Sequence, residues 1–386
     1  MSEISFKNLI QAKESLDTCF KCSFCKGNCP VSEQIFWESF SPRGKMLILR
    51  SLLRDQGILT EKVRDSLYTC TMCSNCDNTC IAGIKVTDVL AAGRRDLYEL
   101  GKAPESVNSL IRTIKDSGNV FDLSKEDLDI LGFNPDKEFP KSADLLFFKG
   151  CYANYHSIPH KSTMRSFNIL KKLNVDFAIL GDEECCGSPA YLLGDMDTTR
   201  RFCEYNVSKI EETGACRVVT ACPGCYRALK QIYPKLVGKL NFEVLHITEL
   251  LAEYIDAGRL VFKKNGIDKL HVLYHDPCEL GRHCGIYEAP RKIIESIPGV
   301  HLEEFEKNRD EAKCCGGGGG LTISNPNLAS QIAQLRLNEA IERSIQAVVT
   351  ACPACQLNFT ISKDKYNMKV KILDISQLVG DSIGLH

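Results

Sequence analysis

Cysteine spacing constrains this chain more than any other feature of its sequence. The chain has 386 residues, of which 21 are cysteine, and all but three of these fall into two recurring patterns. The first pattern is Cys19-x2-Cys22-x2-Cys25-x3-Cys29-Pro30, followed by Cys70-x2-Cys73-x2-Cys76-x3-Cys80. The second is a repeat. Val218-Val-Thr-Ala-Cys-Pro-Gly-Cys225 returns as Val348-Val-Thr-Ala-Cys-Pro-Ala-Cys355, and Cys185-Cys186-Gly187 returns as Cys314-Cys315-Gly316. A lone cysteine precedes each pair, Cys151 and Cys278. Corresponding cysteines lie 127 to 130 residues apart, so the repeating unit is a duplicated domain of that size. A disulfide scaffold does not suit a chain of this length with no export signal; ordered cysteine clusters in a reducing compartment bind metal.

The paired Cys-x2-Cys-x2-Cys-x3-Cys runs resemble those of bacterial two-cluster ferredoxins, in which the fourth cysteine of each run ligates the other cluster. That resemblance implies one cubane [4Fe–4S] cluster on Cys19, Cys22, Cys25 and Cys80, and another on Cys70, Cys73, Cys76 and Cys29. Paired zinc sites are the alternative, but they usually show two CxxC pairs rather than a triple. Forty residues separate the two runs, and they carry apolar residues at helical spacing: Met46 to Leu49, Leu52, Leu53, Val63 and Leu67. Val86 to Leu100 reads as another helix. This resembles the α-helical ferredoxin type of multi-subunit redox enzymes. Ser41-Pro42-Arg43-Gly44-Lys45 resembles a segment common in that group, and reads equally as a Pro/Gly turn opening a helix.

The duplicated units read as α/β. Short apolar runs at Leu145 to Phe148, Val175 to Leu180 and Arg217 to Thr220 each end just before motif cysteines. Amphipathic stretches such as Ser162 to Lys172 and Thr198 to Glu212 lie between them. The second unit repeats this with Leu270 to Tyr274 and Ala347 to Thr350. Alternating strands and helices predict parallel sheets, whose ligands gather beyond the carboxyl ends of the strands. Each set of cysteines is therefore expected on one rim. The fold class is α+β multidomain: a helical domain over 1–100, a connector over 101–142 with a short helix near Leu123 to Leu131, and two α/β units over 143–265 and 266–386.

These units resemble the cysteine-rich CCG domain of heterodisulfide reductase and its relatives. The order of parts is similar to that of the family's D-type catalytic subunit, a two-cluster ferredoxin fused to two CCG domains. The resemblance implies one noncubane [4Fe–4S] cluster on Cys151, Cys185, Cys186, Cys222 and Cys225, and another on Cys278, Cys314, Cys315, Cys352 and Cys355. It also implies reduction of a coenzyme disulfide, CoM-S-S-CoB, lying between those two sites, with the ferredoxin clusters relaying electrons singly. The alternative is an electron-transfer subunit of a flavin-dependent glycolate, lactate or glycerol-3-phosphate oxidising complex. The implied partner is a membrane b-type cytochrome, or a soluble flavin, hydrogenase or formate dehydrogenase subunit.

Other residues are secondary to these patterns. Cys203, Cys216 and Cys284 fit neither pattern and are expected to be small buried packing residues. Gly316 to Gly320 reads either as a loop pointing N–H groups at cluster sulfides or as a linker; it is not a dinucleotide fingerprint. His156, His160, His275 and His283 lie near Cys151 or Cys278, as proton donors to a leaving thiolate or as loop hydrogen-bonding groups. Lys161, Arg165, Lys171 and Lys172 suggest a solvated helix face. A formal charge of −1, from 48 Lys+Arg and 49 Asp+Glu, argues against a nucleic-acid surface. No apolar run reaches the roughly 18 residues of a membrane helix, and the first residues have no signal core. The expected location is the cytoplasm, or the membrane periphery through a partner.

Overall fold

The computed structural model describes residues 6–54, 58–123, 139–262 and 269–385. In the N-terminal domain, helix α1 spans Pro42–Leu53, α2 Glu61–Tyr68 and α3 Val86–Glu99. The Ser41–Lys45 segment is the start of α1. The Ser41 hydroxyl accepts from the Gly44 N–H at 2.9 Å, and Pro42 fills the first turn, where no N–H is needed. Thr60 caps α2 in the same way. Leu49, Leu67, Leu90 and Leu97 fill the domain core.

The connector is more structured than its sequence reading. Helix α4, Glu105–Ser117, buries Val107, Leu110, Ile111 and Ile114 in the core of the N-terminal domain. These residues follow the i, i+3, i+4, i+7 spacing of one helix face. The helix expected near Leu123 to Leu131 lies beyond the described residues from 124 on.

The first duplicated unit holds a parallel three-stranded sheet in the order β1 (Leu145–Phe148), β2 (Arg217–Thr220), β3 (Glu243–His246). The strand expected at Val175 to Leu180 contracts to one bridge, Ala178 to Leu146. Two hydrogen bonds, Phe147 N to Ala178 O and Ala178 N to Leu145 O, make it, and then the chain leaves the sheet edge toward Cys185. The second unit is also parallel, ordered β5 (Val300–Glu304), β4 (Leu270–His275), β6 (Ala347–Thr350), β7 (Lys371–Asp374). Strands β1 and β6 are buried at every position, as expected for parallel strands covered on both faces. Crossover helices cover them: α5 (Cys151–Tyr155), α6 (Ser157–Lys172), α7 (Met196–Glu212) and α8 (Pro223–Arg227) in the first unit, α9 (Pro326–Glu342), α10 (Pro353–Lys365) and α11 (Ile375–Ser382) in the second.

The two units share one apolar core that runs from Phe147 and Phe167 through Val272 and Tyr274 to Val379. Helix α6 packs on α11, with the Ser166 and Ser376 hydroxyls 2.8 Å apart and Arg165 paired with Asp381. Arg165 and Lys172 also donate to the Leu385 and Ile383 carbonyls, so this basic helix face anchors the C-terminal helix.

One side chain joins all three modules. Arg94, on α3, is fully buried. Its guanidinium donates to the carbonyls of Leu67 (3.1 Å), Tyr68 (2.9 Å), Cys70 (3.3 Å), Leu192 (3.0 Å) and Gly319 (3.4 Å). Arg94→Met strands those carbonyls and is expected to destabilise the protein by about 3 kcal/mol or more in anaerobic denaturant titrations. Arg112→Met, at an exposed ion pair on α4, is expected to change stability by no more than about 0.5 kcal/mol.

Candidate metal centres

Both cysteine runs of the N-terminal domain curl round a cavity. Lys21 and Ser23, between the first three cysteines, take positive φ values of 60° and 74°. Met72 and Ser74, at the same places in the second run, take 54° and 59°. Four non-glycine residues in the left-handed region mark a backbone bent for a purpose. An outer cavity is lined by Cys19, Cys22, Cys25 and Cys80, and an inner one by Cys29, Cys70, Cys73 and Cys76. The fourth cysteine of each run thus sits with the three of the other. In the outer set Cys22 is exposed, whereas in the inner set Cys29, Cys73 and Cys76 are buried. Burial, then its neighbours Cys19, Cys80 and Cys22, push the Cys25 thiol up to about 11.

Each duplicated unit brings its five motif cysteines together so that each shifts the thiol of the next along a line of sulfurs. In the first the order is Cys151, Cys185, Cys186, Cys225, Cys222. In the second it is Cys278, Cys314, Cys315, Cys355, Cys352. Cys151 opens α5 directly after β1. Cys222 and Cys352 stand at the N-caps of α8 and α10, each with proline in the first turn. Glu183 accepts from the Lys149 and Gly150 N–H groups and so fixes the loop before Cys151. That buried carboxylate has no spacing signal like that of the cysteines, and sequence reasoning misses it.

The line of sulfurs divides its protons unevenly. The middle thiols are lowered, Cys186 to about 6 and Cys315 to about 5, because neighbouring thiols donate to them. Cys185 and Cys225 in one unit, and Cys278 and Cys355 in the other, are raised well above the ordinary thiol value, while Cys222 and Cys314 are lowered. Five buried thiolates cannot coexist without a cation among them. Backbone N–H groups add to the fit, Gly316 to Cys314 Sγ at 3.4 Å, Gly317 to Cys315 Sγ at 3.3 Å and Met72 to Cys70 Sγ at 3.4 Å. Thiolates with peptide N–H donors are the ligand set of iron–sulfur centres, whereas a closed zinc site takes four donors. The residues therefore fit the multi-iron groups their spacing implies.

The sets adjoin one another. The inner Cys73 lies in one buried cluster with Cys314, and this neighbour, with burial, lifts the Cys73 thiol well above the usual range. Helix α5 packs against α10 of the other unit. Between the units, Tyr152 lies within the field of Cys151 and Cys222 on one side and Cys352 and Cys315 on the other; burial first, then these thiols, raise its hydroxyl. The glycine run also lies at a junction. A Cβ on Gly318 would lie 2.7 Å from the Thr71 carbonyl oxygen, and one on Gly319 would overlap that of Cys70.

Of the four histidines, three serve backbone. His156 accepts from Ile158 N, His160 bonds Ala153 O, and His283 bonds Met72 O and Ser74 Oγ. His275 alone keeps a buried nitrogen, Nδ1, without a partner among the described residues. Cys203 is buried in the first unit's core, and Cys284 is half-buried beside Gln231. Cys216 is exposed, because it lies in the surface turn before β2 and not in the core as expected. None of the three joins a sulfur line.

The comparisons with known proteins follow this layout. A family model described as "Cysteine-rich domain" matches residues 145–230 and 272–360, and one described as "4Fe-4S dicluster domain" matches 15–84. The chain is 34% identical to the D subunit of dihydromethanophenazine:CoB–CoM heterodisulfide reductase of Methanosarcina barkeri, over 99% of this chain and 98% of that one. It is 30% identical to the B subunit of fumarate reductase (CoM/CoB) of Methanothermobacter marburgensis, over 96% and 73%. It is 27% identical to EtfAB:quinone oxidoreductase of Syntrophomonas wolfei, over 98% and 59%. A solved structure of a hypothetical protein from Helicobacter pylori shares the fold at a TM-score of 0.60 and 12% identity, over 89% of this chain and 68% of that one.

The crossed cavities give a direct expectation. Cys80→Ala should lower the iron content of anaerobically reconstituted protein by about four atoms per chain and remove one set of ferredoxin-type signals. Cys203→Ala should leave iron unchanged.

Proposed function

This chain belongs to the D-type subunit family of heterodisulfide reductase, a family of iron–sulfur oxidoreductases, and on that premise we propose that it reduces a coenzyme disulfide, CoM-S-S-CoB, to two thiols. The reaction takes up two electrons and two protons: the S–S bond breaks and each sulfur leaves as a thiol. The observation that carries this reading is the pair of complete five-cysteine sets, one in each duplicated unit, which approach each other where α5 packs against α10. Two matched sites suit a substrate with two reacting sulfurs. Clusters bound there, of the noncubane type, and cubane clusters in the two N-terminal cavities would supply one-electron chemistry and iron sites for sulfur. The protein's part is to hold these sites in contact, through the packing of Cys73 with Cys314 and the glycine strip over Cys70 and Thr71.

A cavity of about 350 Å³ opens where the three modules meet, lined by Arg95, Arg227, Lys235 and His283. The Arg95 guanidinium lies over the Tyr191 ring, and its Nε has no hydrogen-bond partner among the described residues. Among the described residues no motif cysteine lines this cavity, Arg227 is paired with Glu279, and Asp88 shares the wall, so it lies beside the reacting sites and is not one of them. The outer cavity is rimmed by exposed Phe20, Phe24 and Ile81. It is the proposed docking face for the electron donor, whether a b-type cytochrome or a soluble flavin, hydrogenase or formate dehydrogenase subunit. No helix of the described residues is long and apolar enough to cross a membrane, so a membrane span would come from such a partner.

A second reading, a pure electron-transfer subunit with its chemistry on a flavin partner, draws support from the likeness to EtfAB:quinone oxidoreductase. Reduced viologen separates the two. Iron-replete protein with about sixteen irons per chain is expected to oxidise the dye only when CoM-S-S-CoB is present, and Cys185→Ala or Cys314→Ala to abolish this. A full iron count with no turnover on this disulfide would overturn the CoM-S-S-CoB reading and leave the second reading or a different disulfide.

A further inference from the structure

The two duplicated units differ at the residue that ends the first strand of each. That residue stands three positions before the lone cysteine in both: Phe148 ends β1 before Cys151, and His275 ends β4 before Cys278. Both are buried. A ring nitrogen of His275 and the sulfurs of Cys315 and Cys355 all lie within 4.8 Å of one another. Phe359 holds the imidazole edge-on, ring centres 4.8 Å apart at 88°. The backbone carbonyl of His275 meets Thr350 Oγ1, but Nδ1 has no partner among the described residues. A buried imidazole nitrogen left unpaired costs free energy, and native proteins rarely carry one unless something occupies its far side. Phe148 offers no such group to the first unit.

We propose that His275 is a nitrogen contact of the iron–sulfur cluster in the second unit, donating its N–H to a cluster sulfur, and that the two five-cysteine sites are therefore unequal redox centres. This rests on the reading that each unit carries a cluster. Hydrogen bonds to the sulfurs of such a cluster raise its reduction potential. The second unit is thus the easier to reduce. Both units meet the N-terminal domain, but it is the second whose Cys314 shares a buried cluster with Cys73 of the inner cavity. Electrons arriving from the inner cavity meet the more favourable site first, and the first unit fills second. His275 acts here as a positioning and tuning residue and does not exchange protons with substrate.

The test is pulsed EPR on wild-type protein labelled with 15N-histidine, combined with a redox titration. A weak 15N coupling is expected on one of the two cluster signals of the duplicated units. His275→Phe should remove that coupling and lower the midpoint of the same signal, with iron content unchanged. Phe148→His should introduce a coupling and a higher midpoint in the other. The proposal is overturned by no coupling in the wild type, by the strong coupling of a directly bound nitrogen, or by an unchanged midpoint in iron-replete His275→Phe. Wild-type iron equal to that of the N-terminal clusters alone would overturn the cluster reading itself, and this inference with it. The labelled wild type decides the matter even where a variant fails to fold.

Discussion

A buried guanidinium with no carboxylate partner among the described residues underlies the whole arrangement. Arg94 satisfies carbonyls from α2 and the Cys70 loop, from Leu192 in the first duplicated unit and from Gly319 in the second. Burying such a charge without an acidic partner is costly. Its field falls on Cys70, whose thiolate stabilises the charged form. The cation that joins the modules is thus also one of the few positive charges next to the inner cysteine cavity. Docking and cofactor retention depend on the same group, so neither can be altered alone.

The duplicated units apply one rule twice. Parallel strands end together, the loops beyond them carry the cysteines, and Cys222 and Cys352 stand at the N-caps of the helices that follow. Because the two units share a core through α6 and α11, the sulfur lines are fixed relative to one another by apolar packing rather than by a flexible linker. Tyr152 marks the line along which they meet. Duplication supplies the symmetry, and later substitutions such as Phe148 against His275 break it.

Much of this is legible in spacing because thiol clusters must be held by closely placed residues, and close placement survives in the sequence. The N-terminal and duplicated cysteines come together in space in the groupings that their spacing suggests. What is not legible is set by backbone acceptors and by context. Arg94 binds carbonyls, which every residue has, so nothing in the sequence distinguishes it from Arg95. Helix α4 escapes a sequence reading because the turns around it dominate the composition, although its apolar face has clear helical spacing. Val175 to Leu180 has the composition of a strand yet makes one bridge, since the chain must turn off the sheet edge to bring Cys185 under the Gly118 carbonyl. Residue type alone puts Cys216 in the core, and the turn before β2 places it outside.

The strip of glycines lets the second unit's backbone press directly on Cys70 and Thr71, beside the inner cavity. With Cys29, Cys73 and Cys76 already buried, that contact acts as a lid closed from outside. A cluster held there would be shielded on this side by backbone alone, with no side chain on the glycines to move aside.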